Sequence, residues 1–344
     1  MAAIIPNEVA LTALAEDALA NWDIDVVQVK PHSHRENTVF KVRSAGGEVY
    51  ALRVHRPGYH DLAALESEHV WTTAMQEAGL AVPEAVNTRD GDPYVLATLP
   101  DSQETRHVGL VKWISGVTLE EHLGDHPDDA AVQATYESLG KLIADFHLAT
   151  AQWSPPGTFK RHAWDAQGLV GEAPFWGRFW ELDAASAEQN AELSEVRGRL
   201  LTILSSLPRT ADVYGMIHAD LNTENVLRDG DTLSVIDFDD AGFGWHAFDL
   251  AVAVWDGLGV LTGQSHFDVA RESLLQGYRE RRPGSVQLEM LVPLFILVRS
   301  LMLLRWMQDR PESGYTEMIP PLLKHALDQA RGIPWSDFSN VGGS

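Results

Sequence analysis

The 344-residue sequence contains no cysteine. Disulfides, thiolate catalysis and zinc–thiolate sites are therefore excluded, and a cytoplasmic location is the expectation. Bases are scarce: 26 Lys and Arg stand against 49 Asp and Glu, a formal net charge of −23. Such a chain lacks the basic face that phosphate neutralisation on nucleic acid requires. No nucleic-acid partner is expected, although an acidic surface can draw in a cationic substrate. A long uninterrupted apolar run is also missing. The most apolar stretch, "LVPLFILVRSLMLLRW" (291–306), carries Pro293, Arg299 and Arg305. It reads as too short and too charged for a membrane span and is expected to be a buried C-terminal helix. "MAAIIPNEVALTALAEDALANW" lacks the basic start of a signal peptide, so no membrane association is expected. No G-x-x-x-x-G-K-[ST] occurs, and "GFG" at 242–244 lacks the third glycine of a dinucleotide fingerprint.

What is present is a change of character along the chain. Residues 7–20 have helical periodicity. "DIDVVQVKP", "NTVFKVRSA" and "EVYALRVHRP" alternate apolar and polar residues, with "SAGGE" as a turn. A helical stretch, "HDLAALESEHVWTTAMQEAG", follows, ended by Gly79 and Pro83, and then two more strands, "PYVLATL" and "RHVGLVKWI". Long helical patterns come next, at 128–149, 186–206, 264–280, 285–308 and 315–331, while 151–182 has no clear period. The fold class expected is α+β, with an antiparallel-sheet N-terminal part (1–114) and a mainly helical C-terminal part (115–344). The boundary falls near Trp113 to Gly116.

The chemistry concentrates in "IHADLNTENVL" (217–227) and "VIDFDDAGFGWHAFDLAVAV" (235–254). His218, Asp220 and Asn225 form H-x-D-x-x-x-x-N; Asp237, Asp239, Asp240 and Asp249 follow among apolar residues. Acids so close repel one another unless a cation sits among them. Asp220 or Asn225 alone fits a turn or helix cap, but their joint occurrence with "IDFDD" and "FDLA" favours catalysis. Asp239 and Asp240 are expected either to solvate the loop, to cap the helix starting near His246, or to touch metal or substrate.

These motifs resemble the catalytic and metal-binding loops of the aminoglycoside phosphotransferase and choline kinase-like family, which also holds type II homoserine kinases and a bacterial stress-response Ser/Thr kinase. The resemblance covers roughly residues 24–310. It implies a bilobal protein-kinase-like fold with ATP between a nucleotide-binding lobe (1–114) and a catalytic, acceptor-binding lobe (115–344). It also implies phosphoryl transfer to a hydroxyl of a small molecule: an amino alcohol, aminoglycoside, hydroxy amino acid or sugar. Asp220 would be the base that accepts the hydroxyl proton, and Asn225 and Asp237 would hold Mg²⁺. His218 and Asp249 resemble the pair that supports the catalytic loop. The alternatives are a Ser/Thr protein kinase of the same fold and a non-catalytic nucleotide-binding module.

In the N-terminal part, Arg53 of "YALRV" stands where related kinases carry a basic residue over the phosphates. Glu68 of "LESEHVW" has the family's spacing for its helix partner, with Glu66 the neighbouring candidate. Adenine is expected on backbone near Val111 to Trp113, the hinge position in relatives. One departure stands out: the phosphate-covering turn, "KPHSHRENTVF", has no glycine, which leaves Ser33, His34 and Asn37 as possible contacts.

In relatives the acceptor pocket is built from the C-terminal helices and the insert before the catalytic loop. Trp153, Trp164, Trp176, Trp180, Trp245, Trp255 and Asp256 lie there, either as an ammonium-binding aromatic wall or simply as core. Arg299 needs an acidic partner inside an apolar helix: either an acid of this chain or a substrate carboxylate.

Overall fold

The computed structural model describes residues 8–34, 37–257 and 266–338, the side chains of 256 and 257 excepted. The chain divides into two compact units, Met1–Gly116 with Pro155–Lys160, and Val117–Ser154 with Arg161–Ser344.

The first unit is a helix, a five-stranded antiparallel sheet and a second helix. Helix α1 (Glu8–Leu19) precedes β1 (Val26–His34), β2 (Thr38–Ser44) and β3 (Val49–Val54). Helix α2 (Leu62–Glu77), β4 (Tyr94–Thr98) and β5 (Thr105–Lys112) follow. The sheet order is β1-β2-β3-β5-β4. Leu11, Leu14, Ala15 and Ala18 recur at helical spacing and pack on Phe40, Val42, Leu52, Val54, Val108 and Leu110, which alternate along three strands. Asp61 caps α2 by accepting from the Ala64 N–H, and α2 buries Leu65, Trp71, Met75 and also Glu68. Strand β1 runs to His34, further than its alternation indicated. Residues 35 and 36 of the glycine-free turn lie outside the described residues.

The second unit is mainly helical. It contains β6 (Val117–Thr118), α3 (Leu119–Leu123), α4 (Asp129–Gln152), β7 (Ala163–Trp164), α5 (Ala166–Val170) and α6 (Ala187–Ser206). Four short strands follow: β8 (Tyr214–Ile217), β9 (Val226–Asp229), β10 (Thr232–Val235) and β11 (Gly242–Trp245). Then come α7 (His246–Gly257), α8 (His266–Arg281), α9 (Val286–Asp309), α10 (Ile319–Gly332) and α11 (Trp335–Phe338). The strands form two small sheets, β10-β9-β6 and β7-β11-β8. Strands this short leave no readable period, which is why 151–182 reads as irregular although it holds β7 and α5.

Helices α4 and α8 touch backbone to backbone. A Cβ at Gly140 would come 2.0 Å from the Leu274 carbonyl oxygen, and one at Gly277 would come 2.0 Å from that of Glu137. Only glycine permits this approach. Helix α9 corrects the expectation of a segment too short to span. At 24 residues it is long and apolar enough by composition to cross a membrane, yet 72% of its most apolar window is buried inside the protein. Its burial is that of a core helix, as the sequence indicated.

Candidate active site

Strand β8 ends at Ile217 and feeds directly into His218, Ala219 and Asp220. Ala219 has φ of 65°, a left-handed conformation that costs a residue with a Cβ roughly 1–2 kcal/mol. Asp249, in the first turn of α7, offsets that cost. Its Oδ1 accepts the Ala219 N–H at 2.6 Å and its Oδ2 accepts the His218 N–H at 3.1 Å. Burial pushes the Asp249 carboxyl up to about 6, against the opposing pull of His218 and these two backbone donors.

Both oxygens of Asp220 have donors. Arg299 Nη2 donates to Oδ1 at 2.7 Å; Asn225 Nδ2 donates to Oδ2 at 2.8 Å and to the Asp220 carbonyl at 2.8 Å. A carboxylate and a carbonyl only accept, so the Asn225 atom facing them is the amino group. Its Oδ1 is thereby left as the atom with which Asn225 can ligate a cation. Asn222 sets up the turn: its Oδ1 accepts the N–H groups of Glu224 and Asn225 at 2.9 and 3.2 Å.

Asp237 enters through its neighbour. His218 Nε2 donates to the Ile236 carbonyl at 3.0 Å, which leaves Nδ1 to accept the Asp220 N–H at 3.3 Å. Burial holds the His218 pKa below its ordinary value, in keeping with this neutral form. The Ile236 N–H donates to the Asn225 carbonyl at 3.0 Å. One hydrogen-bonded cluster therefore joins Asp220, Asn225 and the residue before Asp237. Asp237 is exposed and has φ of 63°, the second left-handed non-glycine residue at this place.

The loop after Asp237 is clamped by Arg161, which no motif announced. Its Nε donates to the Ala241 carbonyl at 2.6 Å, and its Nη2 to those of Phe238 and Asp239 at 3.0 and 2.6 Å. Asp239 and Asp240 are buried, 6% and 7% exposed. The expectation that they solvate the loop is corrected: apolar neighbours and Arg161 draw this turn inward. They do not sit in the first turn of α7 either, where Asp249 is the acid. Gly244 of β11 shows what "GFG" is for, since a Cβ there would lie 2.4 Å from Ile217 Cδ1. The glycine lets β11 lie tight on β8, just ahead of His218.

In the first unit, Arg53 Nη1 meets Glu68 Oε1 at 3.4 Å, and both side chains are largely buried. Glu66 is exposed. Val111 pairs with Ala51 in the sheet and bridges to Ala85. The N–H groups of Lys112 and Trp113 donate to the carbonyls of Glu84 and Val49 at 2.8 and 3.0 Å. The Trp113 ring carries Lys41 Nζ at 4.0 Å over its face. Asn37 is buried and its Oδ1 accepts the Arg56 N–H at 2.9 Å, which gives that side chain a structural partner.

Among the described residues no three His, Cys, Asp or Glu side chains cluster as a metal cage. The Asn225 carbonyl oxygen and the Asp237 carboxylate are donors of the kind a hard divalent cation takes. Trp164 and Trp245 are almost fully buried and so are core, not pocket walls. Trp176 is 7% exposed, with the Arg299 guanidinium 5.0 Å from its ring centre. It also borders an open surface depression with Pro174, Phe175, Gly177, Asp309 and Arg310. The side chain of Asp256 lies outside the described residues. For Arg299, the partner is an acid of the chain itself, Asp220.

The model of the phosphotransferase enzyme family known as APH matches residues 28–284. The chain belongs to this family. It is 28% identical to the microcompartment-associated aminopropanol kinase, with a TM-score of 0.77 over 96% of this chain and 98% of that one. It is 28% identical over 263 residues to homoserine kinase of Pseudomonas aeruginosa, covering 72% of this chain and 70% of that protein. An amicoumacin kinase solved with AMP-PNP and Ca²⁺ shares the fold, with a TM-score of 0.74 at 19% identity over 94% of each chain. The protein-kinase-like α+β fold implied by the motifs is thus the one found, and the chain is a small-molecule kinase.

Proposed function

We propose that this kinase transfers the γ-phosphate of ATP to the hydroxyl of a small amino alcohol. The observation that carries the reading is the cluster in which Asp220 is fixed by Asn225 and Arg299, while His218 and Ile236 tie it to Asp237. Phosphoryl transfer asks little covalent chemistry of the protein; it asks that the hydroxyl be placed in line and the phosphate charge be offset. Asp220 accepts a hydrogen bond from the acceptor hydroxyl, orients its oxygen toward phosphorus and takes the proton as the bond forms. The Asn225 carbonyl and the Asp237 carboxylate would hold Mg²⁺. When bound, that ion would supply positive charge to offset the phosphates. Arg53, set by Glu68, contacts the phosphates, and the end of β5 near Val111 and Trp113 receives the adenine.

The amino-alcohol class is supported by the 28% identity to the aminopropanol kinase and by the acidity of the chain, which favours a cationic acceptor. The test is an acceptor panel with labelled ATP: 1-amino-2-propanol, ethanolamine, homoserine, aminoglycosides and a mixture of proteins. Phosphorylation of the amino alcohols is expected. Labelling confined to protein, or to homoserine, would overturn the acceptor class.

A further inference from the structure

The carboxylate of Asp249 holds the strained His218–Ala219 turn, and it in turn is held from behind. His147 of α4 lies with Nε2 3.1 Å from Asp249 Oδ2 and Nδ1 2.9 Å from the Tyr278 hydroxyl. Arg282, just past α8, puts Nη1 2.6 Å from the same hydroxyl and Nη2 2.7 Å from the Asp212 carbonyl. The two ends of this chain fix every proton in it. A guanidinium only donates, so Tyr278 accepts from Arg282 and must direct its own O–H at His147 Nδ1. With Nδ1 accepting, the imidazole proton is on Nε2, where it points at a carboxylate that only accepts. His147 is 1% exposed, and burial together with Arg282 holds its pKa well below the ordinary value, so it stays the neutral tautomer the chain requires. The close approach of α4 and α8 at Gly140 and Gly277 is what brings Tyr278 within reach of His147.

We propose that Tyr278 and Arg282 are positioning residues for phosphoryl transfer, acting through His147 on Asp249 to keep the His218–Ala219 turn, and with it Asp220, in its transfer-ready form. Neither touches the cluster around Asp220 in the observed contacts. Their influence passes through one buried, directional line of hydrogen bonds, in which each donor polarises the next. The charged and titratable groups around Asp249 along this line are His147 on α4, His218 on the loop, Tyr278 and Arg282 from α8, and His246 on α7. His246 stacks on His147 with ring centres 4.1 Å apart, and its Nδ1 lies 3.0 Å from Arg282 Nη1 and 3.3 Å from the Asp212 carbonyl. Asp212 and Glu289 act on this line from further out.

The test reads the loop itself and so does not depend on the acceptor or on the proposed function. Amide hydrogen exchange is measured on the full-length chain for the His218 and Ala219 N–H groups, as protection factors between pH 5 and 8, with α9 amides as the reference. Tyr278→Phe and Arg282→Met are expected to lower protection at His218 and Ala219 roughly fivefold to tenfold, the loss of one buried hydrogen bond, with α9 unchanged. In Tyr278→Phe the pH at which this protection changes should also move upward, because Asp249 has lost part of its donor support and keeps its proton to higher pH. His147→Leu should show the larger loss and His147→Gln should recover much of it, since the amide can still donate to Asp249. Unchanged protection and an unchanged pH profile in both Tyr278→Phe and Arg282→Met would overturn the proposal. So would a loss shared equally by the α9 amides, which would mean the two residues only stabilise the unit as a whole.

Discussion

Arg299 Nη2 lies 2.7 Å from Asp220 Oδ1, joining the middle of the buried helix α9 to the residue proposed to meet the acceptor hydroxyl. The guanidinium is 4% exposed and the carboxylate 24%, so the pair sits at an edge where one partner is dry and the other reaches solvent. A buried guanidinium requires such a partner. Asp220 in exchange gains a fixed orientation, with Oδ1 on Arg299 and Oδ2 on Asn225.

Arg299→Met should therefore cost stability of about 1.5–3 kcal/mol, the range for a hydrogen bond to a charged group. It should also lower turnover about tenfold or more while leaving ATP affinity nearly unchanged. Urea midpoints and separate measurement of nucleotide binding check the two halves. A loss of ATP affinity equal to the loss of turnover would show that Arg299 serves the nucleotide instead.

Arg53 and Glu68 meet at 3.4 Å, and Arg53 is the base proposed to contact the phosphates. Arg53→Ala should weaken MgATP binding with a smaller effect on turnover at saturation, because its contact to phosphate already exists in the ground state. Glu68→Gln should show the same pattern more weakly. Calorimetric titration with MgATP measures both, and unchanged affinity in Arg53→Ala would move the phosphate contact to another base.

The raised carboxyl of Asp249 has a defined sign. Its folded pKa of about 6 lies above the ordinary 3.8, so the stability it contributes is fully present below about 3.8 and is lost as the pH rises through about 6. Asp249→Asn removes that dependence. The difference in urea midpoint between pH 5 and pH 7 should therefore shift in the variant, with less relative gain at pH 5 than in the wild type. Equal differences in the two proteins would contradict the shifted carboxyl.

Gly244→Ala places a methyl 2.4 Å from Ile217 Cδ1. Overpacking of this kind costs about 1–3 kcal/mol, and the strand displaced is the one that leads into His218. Stability should fall and turnover should fall with it. A variant as stable and active as the parent would mean that Ile217 moves aside at no cost.

Much of this was legible in the sequence. The alternation of "NTVFKVRSA" and "EVYALRV" carries β2 and β3, and the H-x-D-x-x-x-x-N spacing brings Asp220 and Asn225 within one hydrogen bond. What was not legible depends on contacts distant in sequence. His147 in "IADFHLAT", Tyr278 and Arg282 look like ordinary helix residues until α4, α7 and α8 are packed together. Arg161 lies in a segment without period and acts on carbonyls, which leave no mark in a sequence. Asp239 and Asp240 read equally as solvated, capping or ligating acids, because the sequence does not show that the turn carrying them is buried. Trp164 and Trp245 read equally well as wall or core until burial decides.

The central claim, that Asp220 serves the acceptor and Asp237 the metal, is tested most directly by measuring turnover and MgATP affinity in parallel for Asp220→Asn and Asp237→Asn. Asp220→Asn should lose roughly 10²- to 10⁴-fold in turnover, the usual contribution of a general base, and bind MgATP almost as the wild type does. Asp237→Asn should lose metal-dependent nucleotide binding along with turnover. Near-wild-type turnover in Asp220→Asn, or equal loss of MgATP affinity in the two variants, would contradict the assignment.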